Sequence, residues 1–161
     1  MSHSTSATAL QIRCATMEHA RVVHGIIQIA FAEYVGAIPV PPGTLNETLA
    51  EVEQAISEGR VLLAWDNSEA VGTARYQVYP DYLYVGRVAV LPSHRRRGVG
   101  KALMSHIEQM APTLGRTRIR LGTRQSMPGN LAFYEQMGYH VVGTEPHKKG
   151  PDTNVWLEKQ L

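Results

Sequence analysis

The sequence predicts an α/β fold: a single mixed, mostly antiparallel sheet of about seven strands with helices on both faces. Three observations predict it. Apolar-periodic and β-rich runs follow one another in the order strand, two helices, three meandering strands, helix, strand, helix, two strands, with no internal repeat. A crossover helix between the runs Tyr82–Leu91 and Arg116–Leu121 requires those two strands to pair in parallel. The length of 161 residues, with 43% hydrophobic and 19% charged residues, suits one hydrophobic core and leaves little room for a second. Residues 1–161 are therefore read as a single domain, with 1–9 as a flexible tail.

Gln11–Ala15 reads as a short strand. Thr16 then N-caps a helix from Met17 to Phe31 whose buried stripe is Val22, Val23, Ile26, Ile27 and Ala30. Gly36–Gly43, with Pro39, Pro41 and Pro42, cannot be regular structure. Thr44 and Glu47 have capping-box spacing and open a second helix to Ser57, along which Leu45, Leu49, Val52 and Ile56 recur; Gly59 closes it. Val61–Trp65 and Ala70–Tyr79 flank the turn Asp66-Asn67-Ser68 as a hairpin, and Pro80-Asp81 turns into the third meander strand, Tyr82–Leu91.

Pro92 ends that strand. A polar stretch, Ser93–Arg97, leads through Gly98-Val99-Gly100 into a helix reaching Met110, with Val99, Leu103, Ile107 and Met110 on one face. Pro112 and Gly115 stop it. Arg116–Leu121 then alternates strictly, with Thr117, Ile119 and Leu121 opposite the arginines. Asn130–Met137 is a short helix ended by Gly138, and strands at Tyr139–Thr144 and Asn154–Leu157 meet across Gly150-Pro151-Asp152.

Composition excludes several classes. The only cysteine, Cys14, cannot form an internal disulfide and reads as a buried small hydrophobe, and no Cys/His pair has zinc spacing. A reducing, cytoplasmic setting and no metal are expected. No basic and apolar leader begins the chain, and no apolar run approaches a membrane span. Charge is split unevenly: residues 1–86 carry four Lys/Arg against nine Asp/Glu, and residues 87–161 carry twelve against five. The C-terminal half is thus the half suited to an anion. The clusters Arg95-Arg96-Arg97 and Arg116, Arg118, Arg120, Arg124 also raise nucleic acid as a partner. With two Phe and two Trp in the chain, no aromatic comb interleaves them, so no nucleic acid is expected.

Gly98 and Gly100 stand where a strand has ended and a helix begins, the place where free backbone N–H groups and the helix dipole favour an anion. Arg95, Arg96, Arg97 and Lys101 surround that turn. A phosphate-binding Walker loop would need Gly at 95 and Ser or Thr at 102, where Arg95 and Ala102 stand. A dinucleotide fingerprint starting at Gly98 would need Gly or Ala at 103, where Leu103 stands. Serine-hydrolase elbows and zinc-protease helices are absent as motifs.

The remaining pattern, Arg95-x-x-Gly98-x-Gly100 directly after Val88-Ala89-Val90-Leu91-Pro92, resembles motif A of the GCN5-related N-acetyltransferase superfamily. Asn130-Leu131-Ala132-Phe133-Tyr134 followed by Gly138-Tyr139 resembles its motif B. The resemblance spans Gln11 to about Leu157. It implies an acetyl-CoA-dependent transferase that acetylates an amine of a small molecule or peptide by direct transfer in a ternary complex. It further implies that the central parallel strands splay and that pantetheine lies between them. On this reading Val88, Ala89, Val90, Arg95, Arg96, Arg97, Gly98, Val99, Gly100, Lys101 and Asn130 bind the cofactor. The N–H of Val90 faces the thioester carbonyl, and Tyr134 is the general acid for the departing thiolate.

Many family members keep a glutamate as base on the strand corresponding to Tyr82–Leu91, and here there is none. Glu33, Asp81, Glu145, His147 and Asp152 lie near expected cleft edges without being assigned. The acidic first half suits a cationic acceptor such as a polyamine, an aminoglycoside or a peptide N-terminus, bounded by 31–43 and 146–153. Edge-strand pairing into a homodimer is a further implication of the resemblance. A non-catalytic acyl-CoA sensor of the same fold and an RNA-binding domain are the competing readings.

Overall fold

The computed structural model describes residues 10–161, so the tail expected at 1–9 lies outside the described residues. Seven strands form one sheet in the order β1-β2-β3-β4-β5-β7-β6. These are β1 (Leu10–Cys14), β2 (Val61–Asp66), β3 (Glu69–Val78), β4 (Leu83–Val90), β5 (Arg118–Arg124), β6 (His140–Pro146) and β7 (Thr153–Gln160). The helices are α1 (Ala20–Ala32), α2 (Leu49–Ser57), α3 (Val99–Met110) and α4 (Pro128–Gln136). Every neighbouring pair is antiparallel except β4–β5, which is parallel as the crossover through α3 demands.

Two apolar layers sandwich the sheet. On one face α3 presents Val99, Leu103, Met104 and Ile107 to Leu62, Val71, Leu83, Val85, Ile119, Leu121 and Leu157, and Tyr134 of α4 joins the same cluster. On the other face Val23, Ile26, Ile27 and Ala30 of α1, with Val52, Ala55 and Ile56 of α2, cover Val61, Leu63 and Ala89. These helices stop at β4. The corresponding face of β5 and β7 has no helix in that cluster, which matters for the site.

Four expectations need correction. Val22 is 41% exposed, because it lies about 100° round α1 from Val23, outside the stripe that meets the sheet. Cys14 is exposed, being the last residue of an edge strand. The first helix begins with a 3-10 turn at Met17–His19, where the Thr16 N–H donates to His19 Nδ1 at 3.0 Å. The capping box lies at Thr48 and Glu51, not at Thr44 and Glu47. The Thr48 N–H donates to Glu51 Oε1 at 2.9 Å and the Glu51 N–H to Thr48 Oγ1 at 3.2 Å, whereas Gly43–Asn46 is a 3-10 turn.

The same Thr-x-x-Glu spacing occurs twice in succession, and long-range electrostatics chooses between the two. Glu47 is drawn inward to Arg75, with Arg75 Nη1 donating to Oε2 at 2.5 Å and Nη2 to Oε1 at 3.0 Å, so it cannot serve a local cap. Thr48→Ala is expected to cost about 1 kcal/mol in denaturant unfolding, and Thr44→Ala less than half of that; equal losses would count against this assignment.

Candidate active site

The parallel pair is short. Only Leu83, Tyr84 and Val85 pair with Ile119, Arg120 and Leu121, after which the strands part. A bulge in β4 helps them do so. Gly86 faces Arg75 and Ala89 faces Thr73, so Arg87 and Val88 together oppose Ala74, and Arg87 takes the left-handed conformation at φ 53°. Such an extra residue bends its strand and increases the local twist. Past the bulge, the Leu91 N–H donates to Val71 O of β3 at 2.9 Å. Alternation along the strand then turns the N–H of Val90, and that of Val88 two residues earlier, toward the side that β5 has left.

The opening so made is a cleft of about 390 Å³. Val88, Ala89 and Val90 form one wall. Gly98, Val99, Gly100 and Lys101 form its end, and Asn130, Phe133 and Tyr134 of α4 close the opposite side. The structure thus gathers residues 88–90, 95–96, 98–101, 130 and 134 around one space. Arg97 is exposed and outside the cleft wall.

The end of the cleft is an anion site by construction. Gly98 has φ 81°, a left-handed conformation that favours glycine, and it N-caps α3. The first intrahelical bond runs from the Ala102 N–H to Gly98 O at 2.9 Å. The N–H groups of Val99, Gly100 and Lys101 are therefore the helix's unpaired donors, gathered where its dipole is positive. A Cβ on Gly100 would stand 3.4 Å from the Phe133 ring, so glycine here also lets α4 close on α3.

Arg95 stands at the cleft but is already engaged. Its Nη2 donates to Ala30 O at 3.1 Å and its Nη1 pairs with Glu33, so it clamps the C-terminal end of α1 over the cleft. That end of α1 contributes Ala30 and Phe31 to the wall, and Tyr34 joins them just beyond the helix. Ala30, His94 and Phe133 are wall residues that the sequence reading did not assign, while Phe31 opens the 31–43 segment that it set beside the acceptor. His94 is buried and lies 3.3 Å from Asp66, with Ser93 Oγ at 2.8 Å. Periodicity alone marks Ala30 as core, and nothing local distinguishes it as a cleft residue.

Tyr134 is 9% exposed, its ring edge-on to Phe133 at 5.1 Å and to Tyr139 at 6.0 Å. Burial, then the neighbouring phenols of Tyr34 and Tyr84, push its hydroxyl far above the ordinary tyrosine pKa. It is a neutral phenol throughout the physiological range. Burial and then the Glu33 carboxylate raise Tyr34 as well. Asn130 is the third residue of α4, whose N-cap is Met127.

Among the carboxylates considered for the base, Glu33 pairs with Arg95, while Asp81 and Glu145 are exposed. Asp152 accepts from Ser126 Oγ at 2.5 Å and lies 3.6 Å from Arg124. Burial raises its pKa, but the bonds from Ser126 and Thr153 and the charge of Arg124 outweigh that and hold the carboxyl below its usual range. These carboxylates are either partnered or at the surface. No helix among the described residues is long and apolar enough to cross a membrane.

Comparison with known proteins agrees with this geometry. The sequence pattern of the acetyltransferase (GNAT) family matches residues 24–139. YjcF of Bacillus subtilis (strain 168), described as an uncharacterized N-acetyltransferase, is 30% identical over 93 residues; the match covers 57% of this chain and 64% of YjcF, just under two thirds of that relative. The ribosomal-protein-S18-alanine N-acetyltransferase from Escherichia coli superposes with a TM-score of 0.76 at 20% identity, covering 94% of this chain and 93% of that one. The PaiA N-acetyltransferase from Thermoplasma acidophilum, in complex with coenzyme A, gives 0.79 at 16% identity, covering 94% and 99%. A family pattern spanning most of the chain, laid over a parted parallel pair that ends at the open N-terminus of α3, makes this chain a member of the GNAT acetyltransferase family.

Proposed function

We propose that the protein transfers the acetyl group of acetyl-CoA to a primary amine by direct attack within a ternary complex. The observation that carries this is the parting of β4 and β5 around backbone donors that β3 does not use. A strand edge of this kind accepts an extended amide-bearing arm as an added strand, and the N–H groups of Val99, Gly100 and Lys101 suit a diphosphate at its end. Both features fit acetyl-CoA, which supplies an activated acyl group on a thiol of pKa about 8.5.

Val90 would donate its N–H to the thioester carbonyl oxygen as negative charge gathers there. Tyr134 would donate to the sulfur as the C–S bond breaks, while the amine nitrogen bonds to the carbonyl carbon and gives up a proton. Arg96 and Lys101 add positive charge beside the diphosphate position, and Asn130 faces the arm from α4. An alkyl ammonium of pKa about 10.4 must lose its proton before attack, which costs about 4.6 kcal/mol at pH 7. With the nearby carboxylates paired, solvent at the cleft mouth is the proton acceptor in this scheme.

Titration calorimetry at moderate ionic strength is expected to show CoA and acetyl-CoA binding, and a panel of amines should release free thiol. Absence of heat from either nucleotide would overturn the reading. Binding and thermal stabilisation without turnover by any amine would assign the protein instead to a non-catalytic acyl-CoA sensor.

A further inference from the structure

A second hollow lies on the sheet face that α1 and α2 leave uncovered. Ile119 and Leu121 point into the α3 core, so Arg120 between them points the other way, as do Tyr82 and Tyr84 beside Leu83 and Val85. With Tyr79 and Trp156 they line a groove of about 310 Å³. Tyr79 stacks on Tyr82 at 5.2 Å and meets Tyr84 edge-on at 6.4 Å. The Arg120 guanidinium sits over the rings of Tyr82 at 5.5 Å and Trp156 at 5.9 Å. A Cβ at position 122 would stand 2.5 Å from the Trp156 ring, so Gly122 is what allows the indole to lie against β5.

The strand pairing connects this groove to the reaction: Tyr84 and Arg120 of its wall are partners in the short parallel ladder, one pair before Val85 and Leu121, beyond which β4 and β5 part to form the cleft.

The charge of the groove is positive. One carboxylate, Glu158, serves both Arg118 at 3.9 Å and Arg120 at 3.5 Å, each beyond hydrogen-bond length, leaving one guanidinium charge in excess. Arg116 adds another at the far end, where its Nε donates to Tyr79 O at 2.5 Å. Of the carboxylates of the N-terminal half, Glu47 is held by Arg75 and Arg87 and Glu33 by Arg95, while Asp81 lies exposed in the turn between Tyr79 and Tyr82. Arg116, Arg118 and Arg120 thus outnumber Asp81 and Glu158 about the groove, which runs against the cationic acceptor that composition favours.

We propose that this groove binds the amine acceptor and selects one that carries an anionic group across an aromatic or apolar stretch from its nitrogen, such as an amino acid derivative or an acidic peptide. The inference rests on the acetyl-transfer reading above. Rings stack on the acceptor's apolar stretch, and Arg120 takes its carboxylate. Polyamines and aminoglycosides meet like charge there.

The test compares 4-(aminomethyl)benzoate with its uncharged amide, with spermidine and with kanamycin, using thiol release with acetyl-CoA. The carboxylate is expected to exceed the amide at least tenfold in kcat/KM, and Arg120→Gln is expected to abolish that preference through KM while CoA affinity measured by calorimetry holds. Equal rates for carboxylate and amide, or a preference for either polycation, would overturn the proposal. Quenching of Trp156 fluorescence, with Trp156→Phe as the blank for Trp65, reads acceptor binding independently of turnover. If no amine is acetylated although CoA binds, the transfer reading fails; tighter quenching by the carboxylate than by the amide would still support the groove, and equal quenching would remove it.

Discussion

Replacing Tyr134 by phenylalanine is expected to lower kcat roughly 10- to 100-fold while changing the Kd for CoA by no more than about twofold. Only the oxygen is lost, and the ring keeps its contacts with Phe133 and Tyr139. On the proposed reading the affinity would be held elsewhere, by the backbone of β4 and the first turn of α3. The size of the effect follows from proton affinities. A thiol of pKa about 8.5 is a fair leaving group, and the raised pKa of Tyr134 makes complete proton transfer to the thiolate unfavourable. What the phenol would supply in the proposed reaction is a strong hydrogen bond as charge develops on sulfur. The sign of the shift also sets the pH profile. A phenol whose pKa is raised keeps its proton past pH 10, so Tyr134 gives no alkaline limb, and wild type and Tyr134→Phe should show the same dependence up to pH about 9.5. An unchanged kcat in the variant, or an alkaline limb that vanishes with the hydroxyl, would remove the assigned role.

The largest expected loss of stability is that of Glu47→Ala. The Glu47 side chain is 5% exposed and that of Arg75 11%, with Arg87 Nε a further 3.4 Å from Oε1. Removing the carboxylate leaves the nearly buried guanidinium of Arg75 without a partner and beside the charge of Arg87, whose own side chain is 37% exposed. Breaking a buried pair on one side costs about 3–5 kcal/mol, which for a chain of this length lowers Tm by roughly 6–20 °C. Glu47 also ties the 43–46 turn to the bulged segment of β4, since its backbone carbonyl lies 3.0 Å from His24 Nε2 while its carboxylate reaches Arg75 and Arg87. Loss of stability should therefore come with a raised KM for the amine. A chemical-denaturation shift below about 1 kcal/mol would show that water reaches the pair more freely than this packing allows.

Much of the architecture was legible because it rests on local, periodic signals. Ile119 and Leu121 alternate with arginines and are buried as that pattern requires, and Val99, Leu103 and Ile107 recur at helical spacing and do face the sheet. Gly98 and Gly100 marked the start of α3 by chemistry alone, a left-handed cap followed by a close approach to Phe133. What could not be read locally was any choice between equivalent local solutions. Thr44 and Thr48 head identical capping patterns, and only Arg75, 28 residues beyond Glu47, decides between them. Cys14 and Val22 look apolar enough to be core, yet whether a helix reaches over them depends on the docking of the layers.

The sequence by itself determined the order of elements, the parallel pair enforced by a crossover helix, the positive helix N-terminus after Pro92, and membership of a family whose motifs carry both. Tertiary structure alone decided that Arg95 clamps α1, that Glu33 and Glu47 of the acidic N-terminal half are paired with arginines, and that Tyr84, Arg120 and Trp156 meet on the uncovered face. The reason is physical. Periodicity and capping act within one or two turns of chain, whereas charge pairing and burial depend on residues that approach only once the sheet has formed.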